Sequence, residues 1–339
     1  MKQQACLAVL AAAAFALAGC ARHEGPKPGQ LTLGMVTDVG GLGDKSFNDS
    51  AYRGLQQAQG TLDAYIQVLQ SRSAADYQPN LSALTNRKFD MIYAIGFLMS
   101  KDVESIAKQN PNQHYAIIDA VVDQPNVLSI TFKEEDGSFL AGALAAMMTK
   151  THHIAFIGGI DSPLIEKFEA GYVAGARQID PTTKVDVKYA GSFDDVAAGS
   201  ELANLLFGSG ADIIYTAAGK VGVGAIDAVK TRPTDYIIGV DSDQDDLAPG
   251  RVLTSMVKHV DVAVFRSAQA IKAGKPMTGH IVLGLQDQAI GLTDFKYTKT
   301  QIGTANLSRL AAIQRAIVSG QIAPPTTRVQ LAAFKPVTL

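Results

Sequence analysis

From Leu31 onward, short β-rich apolar runs alternate with longer helical patterns, a rhythm that points to parallel βαβ units. The strands expected in the first half are Leu31–Thr37, Ala64–Leu69, Phe89–Ile95, His114–Asp119 and Val127–Phe132. Those of the second half are His153–Gly158, Lys184–Ala190, Ala211–Thr216, Tyr236–Val240 and Val252–Val257. Helical candidates between them include Ser46–Gln59, Asp102–Gln109, Ser138–Met148, Leu164–Gln178, Val196–Leu206, Val221–Val229 and Ala263–Ala273. The halves repeat: "FDMIYAIG" and "ADIIYTAAG" end a strand on Gly, and "YAIID" and "YIIGVD" end one on Asp. Met91 aligns with Ile213, and Asp119 with Asp241, at the same offset of 122.

A chain of 339 residues, 47% hydrophobic and 18% charged, is long enough for two such lobes and too apolar to remain disordered. The expected fold is α/β, with two doubly wound parallel-sheet lobes. Ligands of open parallel sheets sit beyond the carboxyl ends of the strands, so the strand-end Gly and Asp residues would line two facing mouths of one cleft. Three crossings between lobes are expected, near Phe132–Asp136, Val257–Asp261 and Gly284–Thr293, where "IVLGLQDQAIGLT" reads as paired strands. Lobe 1 would then hold residues 31–133 and about 260–285, and lobe 2 residues 134–259 and about 286–339.

The segment before Leu31 reads as an address. Lys2 precedes an apolar run from Cys6 to Ala18, shorter than the roughly 20 residues that span a membrane. It ends in Leu17-Ala18-Gly19-Cys20, which resembles the bacterial lipobox, where the cysteine is lipidated on sulfur and becomes the mature N-terminus. The alternative is an ordinary signal peptide with a coincidental cysteine. The expectation is a signal peptide at 1–19, a lipidated Cys20 and a flexible stalk to residue 30, on the extracytoplasmic face of the cell envelope. Cys6 leaves with the peptide, so no disulfide can form within the mature chain. Thirty basic against thirty-two acidic residues, with no Lys/Arg run, argue against a nucleic-acid partner.

The stretch "VTDVGGLGDKSFNDSAYRGL" is a strand end, a glycine-rich loop and a helix start. Glycines 40, 41 and 43 allow close approach of the backbone to a ligand, and Ser46 or Asn48 can cap the helix. Phe47 is either a hydrophobic staple or a planar platform. Phe193, in "YAGSFDDVAAG", occupies the same kind of loop in the second half, and two such rings suggest a sandwich for an aromatic ligand. "IIYTAAGKVGVGAIDAVK" imitates a dinucleotide fingerprint, but its G-x-x-G-x-G order is wrong. A milder reading gives Gly219 free helix-start amides for a polar ligand atom. Asp241 would then accept from vicinal hydroxyls and Lys258 would donate to the same sugar, unless Lys258 is a solvated strand-end lysine. No GxSxG, HExxH, Walker or CxxC motif occurs. Adjacent His152 and His153 would point to opposite faces of one strand, a poor arrangement for a shared metal.

Together, "VTDVGGLGDKSFNDSAYRGL", "IID", "GSFDD", "AAGKVGVG", "GVDSDQ" and "TSMVK" resemble the basic membrane protein family of lipoproteins, the purine nucleoside receptor A-like group. The resemblance runs from the lipobox through Lys258. It implies a type I periplasmic-binding-protein fold and a substrate-binding role for an ABC importer, commonly of nucleosides. Position by position, it places Asp38 and Asn48 in the first binding loop and Asp119 as a base-facing carboxylate. Phe193 becomes one stacking wall, and Gly219, Asp241 and Lys258 the ribose-binding group. Some nucleoside-binding members carry an aromatic where this chain has Leu42, so the first wall is Phe47, Leu42 or a mixed surface. Lys220-Val221 stand where small or hydroxyl residues would be unsurprising.

The resulting expectation is a lipid-anchored, monomeric receptor that captures a purine nucleoside for an ABC permease and its ATPase. It would use neither cofactor nor metal and do no chemistry. The competing readings are a receptor for a sugar or another small solute, and a nucleoside hydrolase using Asp119 and Asp241 as paired carboxylates.

Overall fold

The computed structural model describes residues 25–338. The expected signal peptide, with Cys6, and the expected lipidation site Cys20 lie outside them. The chain begins with β1 (Thr32–Thr37), α1 (Phe47–Leu62), β2 (Tyr65–Leu69), α2 (Tyr77–Asn86), β3 (Met91–Ile95), α3 (Ser100–Gln109), β4 (Tyr115–Ile118) and β5 (Val127–Phe132). It continues through α4 (Glu134–Met148), β6 (His153–Gly158), α5 (Pro163–Ile179), β7 (Lys184–Tyr189), α6 (Val196–Gly208), β8 (Ile213–Ala217), α7 (Lys220–Val229), β9 (Tyr236–Asp241) and β10 (Val252–Lys258). Last come α8 (Val260–Lys272), β11 (Gly279–Leu283), β12 (Ile290–Leu292), α9 (Lys299–Val318) and α10 (Arg328–Ala333).

Two six-stranded sheets result, in the orders β11-β5-β4-β3-β1-β2 and β12-β10-β9-β8-β6-β7. Neighbours pair in parallel throughout the first sheet and in all of the second except at β12, which runs antiparallel to β10. Strands β3, β4, β6 and β8 are buried along their whole length, which is why they read as unbroken apolar runs and not as alternating ones. Helix α3 shows the complementary pattern, burying Val103, Ile106 and Ala107 on one stripe. Helix α4 is apolar nearly all round because α5, α9 and β12 pack about it.

The chain passes between sheets at Phe132–Glu134, at Lys258–Val260 and between β11 and β12. Helix α8 packs on α1 and so belongs with the first sheet, whereas α9 and α10 pack on α4 and α5. The third passage corrects one expectation: β11 and β12 do not pair with each other. Each instead adds to the open edge of a different sheet, β11 beside β5 and β12 beside β10, because the short link carries the chain from one lobe to the other.

Candidate functional site

The carboxyl ends of the two sheets face one another across a cleft with about 520 Å³ of atom-free space, its open mouth included. Lobe 1 contributes Asp38, Phe47, Asn48, Phe97 and Asp119; lobe 2 contributes Leu164, Phe168, Phe193, Gly219 and Asp241; Lys258 stands where β10 leaves for lobe 1. Nine residues singled out in the sequence therefore share one cavity: Asp38, Gly40, Phe47, Asn48, Asp119, Phe193, Gly219, Asp241 and Lys258. Leu42 is not among its lining residues. Its amide donates to Gln70 Oε1 at 2.9 Å and its half-buried side chain packs against the hydrophobic core, so the aromatic group of the first loop that reaches the cleft is Phe47.

Lys258 organises the polar side. It is 2% exposed, and its Nζ lies 2.6 Å from Asp119 Oδ2, 3.7 Å from Asp241 Oδ1 and 3.7 Å from Glu134 Oε1. The rings of Phe47, Phe132 and Phe168 surround the ammonium, with centroids 4.8, 5.4 and 5.5 Å away. Burial works to discharge this lysine, but Asp119, Asp241 and Glu134 outweigh it and hold the ammonium above its ordinary range. The solvated-lysine reading is thereby excluded. Burial in turn raises the carboxylates, Asp119 to about 6 against the pull of Lys258, and Asp241 and Glu134 in the same direction.

Asp38 sits deeper in lobe 1. Its Oδ1 accepts from Asn48 Nδ2 at 2.8 Å and from the Gly40 amide at 2.9 Å, and burial still pushes it up to about 7. Among the cavity's lining residues, Asn48 Oδ1, Asp119 Oδ1 and Asp241 Oδ1 are buried without hydrogen-bond donors. Such atoms cost free energy unless something donates to them, so the cavity suits a molecule rich in O–H and N–H groups.

Helix α1 is capped differently from the sequence expectation. Neither Ser46 nor Asn48 caps it through its side chain; Asp44 accepts from the amides of Ser46, Asn48 and Asp49 at 2.9, 2.7 and 3.1 Å. Ser46 is left to turn its hydroxyl across the cleft. The amide of Lys220, at the start of α7, is taken by the Phe193 carbonyl at 2.9 Å, so that donor is not free. Phe193 is fixed from two sides. A methyl group on Gly159 would collide with its ring, and Phe97 of lobe 1 packs edge-on against it at a centroid distance of 6.3 Å and 83°.

Phe97, Phe168 and Glu134 were not anticipated. Phe97 directly follows Gly96 at a strand end, the signal that selected Asp119, but in "AIGFLMSK" it merges with the apolar run. Phe168 reads as core within the period of α5, and Glu134 lies inside a stretch expected only as a crossing.

Two parallel-sheet lobes joined by three crossings over a strand-end cleft make this a periplasmic-binding-protein type I fold. A solute-binding protein of an ABC transporter system from Aeropyrum pernix superposes with a TM-score of 0.83, covering 89% of this chain and 96% of that one at 25% identity. An arabinose-binding protein from Geobacillus stearothermophilus shares the fold at a TM-score of 0.60 and 15% identity, covering 78% of this chain and 96% of its own. The family model of PnrA-like ABC transporter substrate-binding proteins matches residues 31–324, and the chain belongs to that family. Its relatives include the ABC transporter nucleoside-binding protein BmpA of Lactococcus lactis, 38% identical over 81% of this chain and 86% of that one. Basic membrane protein D of Borreliella burgdorferi is 32% identical over 94% of both chains. The protein is thus an ABC transporter substrate-binding protein.

Proposed function

We propose that this receptor binds purine nucleosides between its lobes, stacking the base on aromatic rings and holding the ribose by hydrogen bonds, and delivers them to a membrane permease driven by a separate ATPase. The observation that carries the reading is one cavity with a phenylalanine from each lobe, Phe47 and Phe193, and buried acceptors without donors on Asn48, Asp119 and Asp241. The rings suit a planar base, and the acceptors suit base N–H and ribose hydroxyl donors. The name of the Lactococcus lactis relative supports the same ligand class. On this reading Asp38, Asn48 and Asp119 face the base, while Gly219, Asp241 and Lys258 face the ribose. The protein acts as a monomer, binds and does no chemistry. It is held at the extracytoplasmic membrane surface by a lipid on Cys20, and among the described residues no helix is long and apolar enough to cross a membrane.

A native mass spectrum of protein purified from a nucleoside-containing host is expected to show one retained nucleoside per chain. Incubation with inosine should release no hypoxanthine. Release of the base would move the reading to a hydrolase, and a retained pentose or hexose would move it to a sugar receptor. Cys20→Ala should shift the protein out of the membrane fraction, and a variant that still partitions with membranes would contradict the anchor.

A further inference from the structure

The serine that was expected to cap α1 does something else. Ser46 is fully buried, and its Oγ lies 2.7 Å from Asp241 Oδ2 and 3.2 Å from the Val240 carbonyl. Ser46 belongs to lobe 1 and Asp241 to lobe 2, so this bond crosses the cleft. Asp241 ends β9 with a left-handed backbone (φ 63°), and its other oxygen, Oδ1, has no hydrogen-bond donor and lines the cavity with the rest of the residue. One hydroxyl thus takes one carboxylate oxygen, while the second, 3.7 Å from Lys258 Nζ, keeps room for a ligand's hydrogen-bond donor.

The turn after Asp241 holds the serine in place. Ser242 Oγ donates to the Ser46 carbonyl at 2.8 Å, and Gln244 Nε2 donates to the Lys45 carbonyl at 3.1 Å. Gln244 is itself fixed, its Oε1 accepting from the Val240 amide and its own amide donating to Ser255 Oγ, both at 3.0 Å. The "DSDQ" motif of lobe 2 therefore grips the loop of lobe 1 whose hydroxyl returns to Asp241. Asp119, the matching strand-end aspartate, has no such partner and is oriented by Lys258 alone.

We infer that Ser46 is a positioning residue for sugar recognition: it aligns Asp241 for vicinal hydroxyls only when the lobes are together, so selection for the ribose is completed by closure. The inference rests on the nucleoside reading and deepens it. Hydrogen bonds to an ionised carboxylate are the stronger kind, so their loss is readable in an affinity ratio.

The test compares inosine with 2′,3′-dideoxyinosine, which has the same base and no vicinal hydroxyls, by calorimetry. Ser46→Ala is expected to weaken inosine about tenfold and to leave the dideoxy compound nearly unchanged, as fits the loss of one charge-assisted hydrogen bond. Ser46→Thr, which keeps the hydroxyl, should restore the parent ratio. Should Ser46→Ala not fold, Gln244→Ala frees the Lys45 carbonyl and should reduce the same ratio several-fold. Equal losses for both ligands, or an unchanged ratio in both variants, would overturn the role of Ser46 and leave the nucleoside reading standing. A parent protein that binds neither ligand would overturn the nucleoside reading and the inference with it.

Discussion

The two lobes share a strand order and a pair of strand-end aspartates, and they line the cleft with different chemistry. Asp119 and Asp241 follow or end corresponding strands in the same left-handed conformation (φ 67° and 63°), and both reach Lys258. After the first strand the lobes diverge. Lobe 1 places Asp38 behind β1, where it accepts from Asn48 and the Gly40 amide; lobe 2 places Gly159 behind β6, and the bare backbone seats the ring of Phe193. A duplicated framework fixes where the cleft lies, and the residues just beyond the strands decide what each wall offers. On the proposed reading, lobe 1 supplies the hydrogen-bonding wall with Phe47 at its edge, and lobe 2 the stacking wall with Asp241 beside it.

The largest effect should come from removing the group that the lobes have in common. Lys258→Met leaves Asp119, Glu134 and Asp241 buried without their shared counter-charge, and breaking such a cluster costs about 3–5 kcal/mol. Chemical denaturation should register this as a lower midpoint. A midpoint equal to that of the parent would mean that Lys258 does not tie the lobes together.

The next comparison is between the rings. Phe193→Ala and Phe47→Ala should each weaken a purine nucleoside by about 1–3 kcal/mol if one base touches both walls. A loss confined to Phe193→Ala would make the stacking a property of lobe 2 alone.

The last comparison is a pH dependence that only lobe 1 can supply at this position. Burial lifts Asp38 to about 7 from an ordinary 3.8, so between those values the folded protein holds more protons than the unfolded chain. Ligand-free stability should fall as pH rises through that window. Asp38→Asn should flatten the upper part of the slope, leaving the part due to carboxylates such as Asp119, Asp136 and Asp245, which burial raises to about 6. Thermal melts from pH 4 to 8 would check it, and an unaltered slope in the variant would place the titration elsewhere.

Much of this framework was legible in the sequence because fully buried parallel strands leave continuous apolar runs, and β5 and β6 fall on the expected residues. The offset that aligns Asp119 with Asp241 was legible for the same reason, since it connects strand ends. Pairing was less so: the runs at 281–283 and 290–292 are apolar enough for strands, but nothing local names the sheet each joins. Ser46 shows a different limit. Its position before a helix suggests a cap, whereas its partner lies 195 residues away, and only the folded chain brings Asp241 to it. Leu42 failed as a wall because side-chain direction in a glycine-rich loop depends on the turn, here fixed by Gln70.

The account turns on one ligand being held by both lobes at once, and a crystal structure of the protein with inosine tests that most directly. The base should contact both Phe47 and Phe193, with Asp119 at its edge and Asp241 and Lys258 on the ribose. A nucleoside bound within one lobe, or outside the cleft between the two sheets, would contradict it.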